Sequence, residues 1–211
     1  MTAILTLQSV SKRFGAVVVA DSLDLAVARG EALGVLGPNG AGKTSLFNMV
    51  TGALRPDTGR IVFHGADVTG LPPAQRCRLG IGRSFQIPQP FAGLTVFENL
   101  LVPAQFARKQ TTIAAERDCL HVLELCGLMP RANALAGSLT LLERKRLELA
   151  RALAGRPQLL LLDEIAGGLT SHECDELVGA IRQIRATGVT IVWIEHVVHA
   201  LLAVADRLIV L

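Results

Sequence analysis

Short apolar runs punctuated by glycine and polar pairs dominate the first third of the chain. Residues 4–10 alternate apolar and polar positions, and residues 17–27 form a second β-rich stretch broken at Asp21-Ser22. Alternation of this kind predicts strands, with Lys12-Arg13-Phe14-Gly15 as a turn between them. Residues 32–36 and 60–63 read as further short strands, and residues 43–50 as a helix. From 71 to 157 the pattern changes. Pro72-Pro73 opens a segment with a short strand at 81–85 and prolines at 88 and 90; then apolar positions recur at helical spacing over 98–107, 113–126 and 141–154. Strand-like runs return at 158–163, 189–194 and 207–211. Between the first two, Thr170-x-x-Glu173 predicts a capping box, and Cys174, Leu177, Val178, Ile181 and Ile184 share one helix face. His196 begins a turn or helix. Strands alternating with helices predict an α/β chain with a mostly parallel sheet covered on both faces, interrupted by a helical insertion.

The 211 residues are 50% hydrophobic and 18% charged, which excludes a disordered chain and allows one good core. A formal net charge of +3 is too mild to make nucleic acid the main partner. Cys77, Cys119, Cys126 and Cys174 are scattered, with no CxxC pair and no secretory leader ahead of them. They read as small core fillers in a reducing compartment. No apolar run reaches the roughly 18 residues that a membrane-spanning helix needs.

Chemistry enters at Gly37-Pro38-Asn39-Gly40-Ala41-Gly42-Lys43-Thr44, a P-loop pattern with a strand before it and a helix after. The glycines permit backbone angles and close approach that a β-carbon blocks. The loop N–H groups then face anionic oxygens, and the helix N-terminus adds its dipole. Lys43 supplies a point charge for the β- and γ-phosphates. Thr44 offers a hydroxyl to Mg²⁺, and Ser45 one to the α-phosphate.

Leu159-Leu160-Leu161-Leu162-Asp163-Glu164 puts two carboxylates at the end of a buried strand, where open α/β sheets place ligands. Asp163 suits Mg²⁺ and Glu164 suits a general base for the attacking water. The guanine-reading pattern Asn/Thr-Lys-x-Asp is absent. Phe14 offers an aromatic face to adenine or packs in the core, and position alone leaves both open. Taken singly, Gln86 reads as a loop amide and His196 as a core or helix-capping histidine.

With these motifs in this order, the chain resembles the nucleotide-binding subunit of an ABC transporter from about Leu5 to Leu211. Phe14 matches the adenine-stacking position, residues 37–44 match Walker A, and residues 159–164 match Walker B with its catalytic glutamate. Gln86 matches the Q-loop, whose amide touches Mg²⁺ and the attacking water, and His196 the switch histidine that contacts the γ-phosphate. The implied fold is a P-loop NTPase core with a mostly parallel sheet, an N-terminal antiparallel β subdomain and an inserted α-helical subdomain. Residues 1–211 are one ATPase domain: 1–87 and 158–211 form the core and β subdomain, and 88–157 the helical part. Residues 81–86, Leu94-Thr95-Val96-Phe97-Glu98-Asn99 and Ala166-Gly167-Gly168-Leu169 resemble the ATPases of branched-chain amino-acid importers.

The resemblance further implies ATP and Mg²⁺ as ligands and a place on the cytoplasmic face of the cell membrane. The implied partners are permease subunits, a second ATPase chain arranged head to tail (identical or different), and indirectly a solute-binding protein; nucleic acid is not among them. Members of the family extend past the strand after the switch histidine, so the expectation is a C-terminus shortened at Leu211.

One stretch departs from the pattern. Where the family carries Leu-Ser-Gly-Gly-Gln, this chain has Leu139-Thr140-Leu141-Leu142-Glu143. Leucines restrict the backbone where glycines would let it approach the partner's γ-phosphate, so the expectation is a weakened contribution to that site. Arg144, Lys145 and Arg146 beyond it read as a solvated helix face. Two further readings stay open: a hydrolytically weak or regulatory subunit in a heterodimeric pair, and a soluble ABC ATPase outside transport.

Overall fold

The computed structural model describes residues 2–107 and 112–211. Two sheets form. Strands β1 (Ala3–Phe14), β2 (Val17–Ala28), β4 (Thr58–Phe63) and β5 (Ala66–Asp67) make an antiparallel sheet in the order β2-β1-β4-β5. Strands β3 (Ala32–Leu36), β6 (Ile81–Arg83), β7 (Leu159–Asp163), β8 (Thr190–Ile194) and β9 (Arg207–Val210) make a parallel sheet in the order β6-β7-β8-β3-β9.

The parallel strands read as unbroken apolar runs because both of their faces are buried. Leu160, Leu162, Ile191 and Trp193 belong to one core, and Leu159, Leu161, Val192 and Ile194 to another. The first core continues into α3 (Val96–Ala107), α4 (Thr112–Leu125), α5 (Leu141–Ala154) and α6 (Ser171–Ala186). The second contains α1 (Lys43–Thr51) and the inner face of the antiparallel sheet. The capping box expected at Thr170 and Glu173 is present, and Thr140 with Glu143 forms another at the start of α5.

Three local readings differ. Residues 12–14 are not part of the turn: β1 runs on to Phe14 and pairs with β2, leaving Gly15-Ala16 as the reversal. Register shifts along the pair absorb the irregular spacing that mimics a turn in sequence. The strand expected at 81–85 stops at Arg83. Helix α2 (Pro73–Leu79) is hidden in sequence behind Pro72-Pro73, yet Pro73 sits in its first turn, where no N–H is needed. The helix after His196 is α7 (Val198–Leu202). All four cysteines are free; Cys119, Cys126 and Cys174 are buried, and burial pushes the Cys119 and Cys126 thiols up to about 11 and about 12.

Helix α2 locks the helix that follows the phosphate loop. Arg76, 1% exposed, donates to the carbonyls of Met49 and Val50 in α1 and to those of Thr69 and Leu71. Burial lowers its basicity, which nearby Asp67 partly restores. Arg76→Met fills the space but takes the charged donor from all four carbonyls, of which Met49 keeps the Gly52 N–H. Hydrogen bonds from a charged donor contribute about 1.5–3 kcal/mol each, and the set is not additive, so the loss is about 3 kcal/mol. Urea unfolding at constant slope measures it.

Candidate nucleotide site

Four of the parallel strands deliver the candidate residues because their carboxyl ends lie level. Asp163 pairs with Ile194, Val35 pairs with Ile194, and Arg83 pairs with Leu161. The residues after these ends therefore emerge along one edge: the phosphate loop after β3, Gln86 after β6, Glu164 after β7 and His196 after β8.

Between β3 and α1 the chain wraps tightly. Gly42 has φ 87°, and a β-carbon there would lie 2.3 Å from the Val19 carbonyl oxygen. No other residue type fits without moving β2. Gly37 is comparably confined, since its β-carbon would meet the Leu211 carbonyl oxygen at 2.8 Å. Lys43, 5% exposed, folds back and donates to the carbonyls of Gly37 at 2.7 Å and Pro38 at 2.9 Å. The Ala41 N–H donates to Pro38. Helix α1 starts with no side-chain cap, so its first amides face the loop.

A cavity of about 610 Å³ opens over this loop, lined by Phe14, Val19, Asn39, Gly40, Gly42, Lys43, Thr44, Ser45, Gln86, Glu164 and His196. It gathers residues predicted from five separate stretches of sequence. Glu164 lies at its centre. One carboxylate oxygen accepts from Gln86 Nε2 at 2.7 Å, and the other lies 2.7 Å from His196 Nε2. Glu164 has φ 46°, a left-handed conformation unusual for a residue with a side chain. That twist sends its carboxylate to Gln86 and His196 while the neighbouring Asp163 turns to Arg83.

Asp163 lines an adjoining cavity of about 410 Å³ with Thr44, Gln86 and Arg83. Thr44, Gln86 and Asp163 thus face one space with a hydroxyl, an amide and a carboxylate. That is a fitting donor set for Mg²⁺, which takes oxygen ligands, keeps several waters and uses few protein groups. Phe14 is 51% exposed, with the Lys12 ammonium 5.5 Å from its ring centre, and so is not a core residue.

Residues 139–143 do not line the cavity over the phosphate loop. Leu139 is buried, Thr140 caps α5, and Leu141 is 46% exposed beside Gly168. The Thr140 N–H donates to the Glu143 carboxylate at 2.9 Å, and the Glu143 N–H to the Thr140 hydroxyl at 3.3 Å. The solvated face expected at 144–146 holds for Arg144 alone: Arg146 is mostly covered and paired with Glu176, and Lys145 is buried. Lys145 is 4% exposed and donates to the Gln86 carbonyl at 2.6 Å. The 100° step of a helix sends it inward while Arg144 stays outside. Burial weakens its basicity, with Glu195, Glu148 and Glu164 opposing that effect.

Two further groups escaped sequence reading. Glu195, 1% exposed, accepts from the Ala166 and His196 amides, and burial raises its pKa. Arg83 forms a buried ion pair with Asp163. A basic residue inside a three-residue strand was the available signal.

The sequence profile described as ABC transporter matches residues 20–167. A high-affinity branched-chain amino acid transport ATP-binding protein, BraF of Pseudomonas aeruginosa, is 35% identical, with 99% of this chain and 88% of the relative covered. LptB of Acidithiobacillus ferridurans, a lipopolysaccharide export system ATP-binding protein, is also 35% identical over 98% of this chain and 86% of its own length. The ADP conformation of MJ1267, an ATP-binding cassette of an ABC transporter, superposes with a TM-score of 0.90 at 29% identity, covering 100% of this chain and 88% of that one. The chain belongs to the ABC transporter family and is an ATPase of that family, similar to the ATPases of branched-chain amino-acid importers.

Proposed function

We propose that this chain hydrolyses ATP to drive import of branched-chain amino acids or related small polar solutes, working from the cytoplasmic face of the cell membrane. Likeness to BraF over 99% of the chain supports the substrate class. The observation that carries the catalytic reading is Glu164, held by Gln86 and His196 across from the phosphate loop.

In this reading Lys43 and the free backbone N–H groups between residues 39 and 45 hold the triphosphate, with Phe14 against adenine. Thr44, Gln86 and Asp163 would hold Mg²⁺, which would supply positive charge to offset the β- and γ-phosphates. Glu164 takes the proton of the attacking water, and His196 orients that carboxylate and meets the γ-phosphate. Coupling to permease subunits passes through Gln86 and the helices at 95–137. A groove of about 360 Å³ beside Gln86, lined by Phe85, Pro103 and Arg151 among others, offers them a surface. Among the described residues no helix is long and apolar enough to cross a membrane, so the membrane path belongs to those partners.

Deleting the chain from its host is expected to abolish high-affinity uptake of labelled leucine, isoleucine and valine, restored by wild type and not by Glu164→Gln. Unchanged uptake of all three on deletion would overturn the importer assignment.

Leu141, Leu142 and the Thr140–Glu143 box support a second reading, a subunit that contributes weakly to its partner's site. The box occupies the Thr140 amide that an incoming phosphate would need. Leu141→Gly with Leu142→Gly is expected to raise ATPase severalfold in the assembled pair, against a stability loss of about 1 kcal/mol per glycine. Steady-state phosphate release with parallel thermal unfolding separates the two effects.

A further inference from the structure

We propose that Arg83 is a resident counter-cation held on the metal-binding carboxylate of Asp163, so that Mg²⁺ enters only together with the triphosphate. The proposal rests on the nucleotide-site reading above. Arg83 Nη2 lies 2.7 Å from Asp163 Oδ2, with the two side chains 9% and 6% exposed. Its other fork nitrogen, Nη1, donates to Asn48 Oδ1 on α1 at 2.6 Å. The rings of Phe85 and Phe47 lie 5.0 and 5.6 Å from the guanidinium carbon. The group is thus fixed from three sides, by the phosphate-loop helix, the end of β7 and the start of the Gln86 loop.

This placement has an electrostatic consequence. Asp163 faces the cavity that also holds Thr44 and Gln86. A bare divalent cation arriving there meets a fixed positive charge bound to the carboxylate it needs. Removed from water, that repulsion is weakly screened. A metal carried by a triphosphate brings its own negative charge and lifts the penalty. Arg83 is a positioning residue in this scheme: it touches neither substrate nor the reacting atoms, and it sets when Asp163 is open to metal.

Manganese, which reports its own binding through electron paramagnetic resonance, serves as the probe. Without nucleotide, the wild type is expected to bind Mn²⁺ weakly and Arg83→Met at least tenfold more tightly. Adding Asp163→Asn to Arg83→Met should remove that gain. Arg83→Lys, which keeps a buried cation and so folds even if the methionine variant does not, should tighten Mn²⁺ by two- to threefold, because one ammonium cannot hold both Asn48 and Asp163. A merely structural role would lower thermal stability in these variants and leave metal affinity unmoved. Wild-type-like Mn²⁺ affinity in the folded Arg83 variants, or a gain that survives Asp163→Asn, overturns the proposal while the nucleotide site stands. If the wild type takes up no Mn²⁺ even with ATP, the site reading fails and the proposal with it.

Discussion

Glu164→Gln stops turnover while ATP still binds. The substitution keeps size and shape but removes the basic oxygen, and general-base catalysis contributes about 10²–10⁴-fold. The expected fall in phosphate release is therefore at least about a hundredfold. The binding surface survives, because the phosphate loop makes no contact through this carboxylate; its partners are Gln86 and His196. The substituted amide can still pair with one of them. A folded variant with unchanged nucleotide affinity and no slow step would assign the base elsewhere. Glu195 is then the next acid along the same sheet edge, yet its carboxylate is consumed by the amides of Ala166 and His196.

Lys43→Met acts one step earlier. The ammonium donates to the Gly37 and Pro38 carbonyls, so the side chain braces the turn. Its exchange removes this brace and, in the proposed function, the cation that offsets the β- and γ-phosphates. Charge-assisted hydrogen bonds contribute about 1.5–3 kcal/mol, or about 10- to 100-fold in affinity when one is lost. Competition against a fluorescent ATP analogue is expected to show a loss of that size or greater. Lys43→Arg should not rescue it, because a planar fork is too bulky for a space where Gly42 already lies against Val19.

Much of this was legible in the residues because local chemistry dictates it. The phosphate loop needs glycine where β2 crowds Gly42, and a run of four leucines ending in two acids admits little besides a buried parallel strand. The capping box at Thr170 is written in two residues three apart. What stayed hidden depends on pairing across the chain. Arg83 meets Asp163 eighty positions away, and Lys145 turns from an apparently solvated cation into a buried one only because α5 lies against the Gln86 loop. Helix α2 was masked by its own prolines, which mark a helix start as readily as a break. Residues 12–14 mimic a turn, because the shifts of register that bend β1 carry no sequence signature of their own.

In the proposed reaction the loop at 37–45 and the acids at 163 and 164 together hold a magnesium–triphosphate. Calorimetric titration of the folded chain with ATP and Mg²⁺ tests it most directly. One site per chain is expected, weakened at least tenfold when Mg²⁺ is chelated and at least tenfold in Lys43→Met. Heat indistinguishable from dilution for the wild type, or an affinity unmoved by both changes, would contradict it.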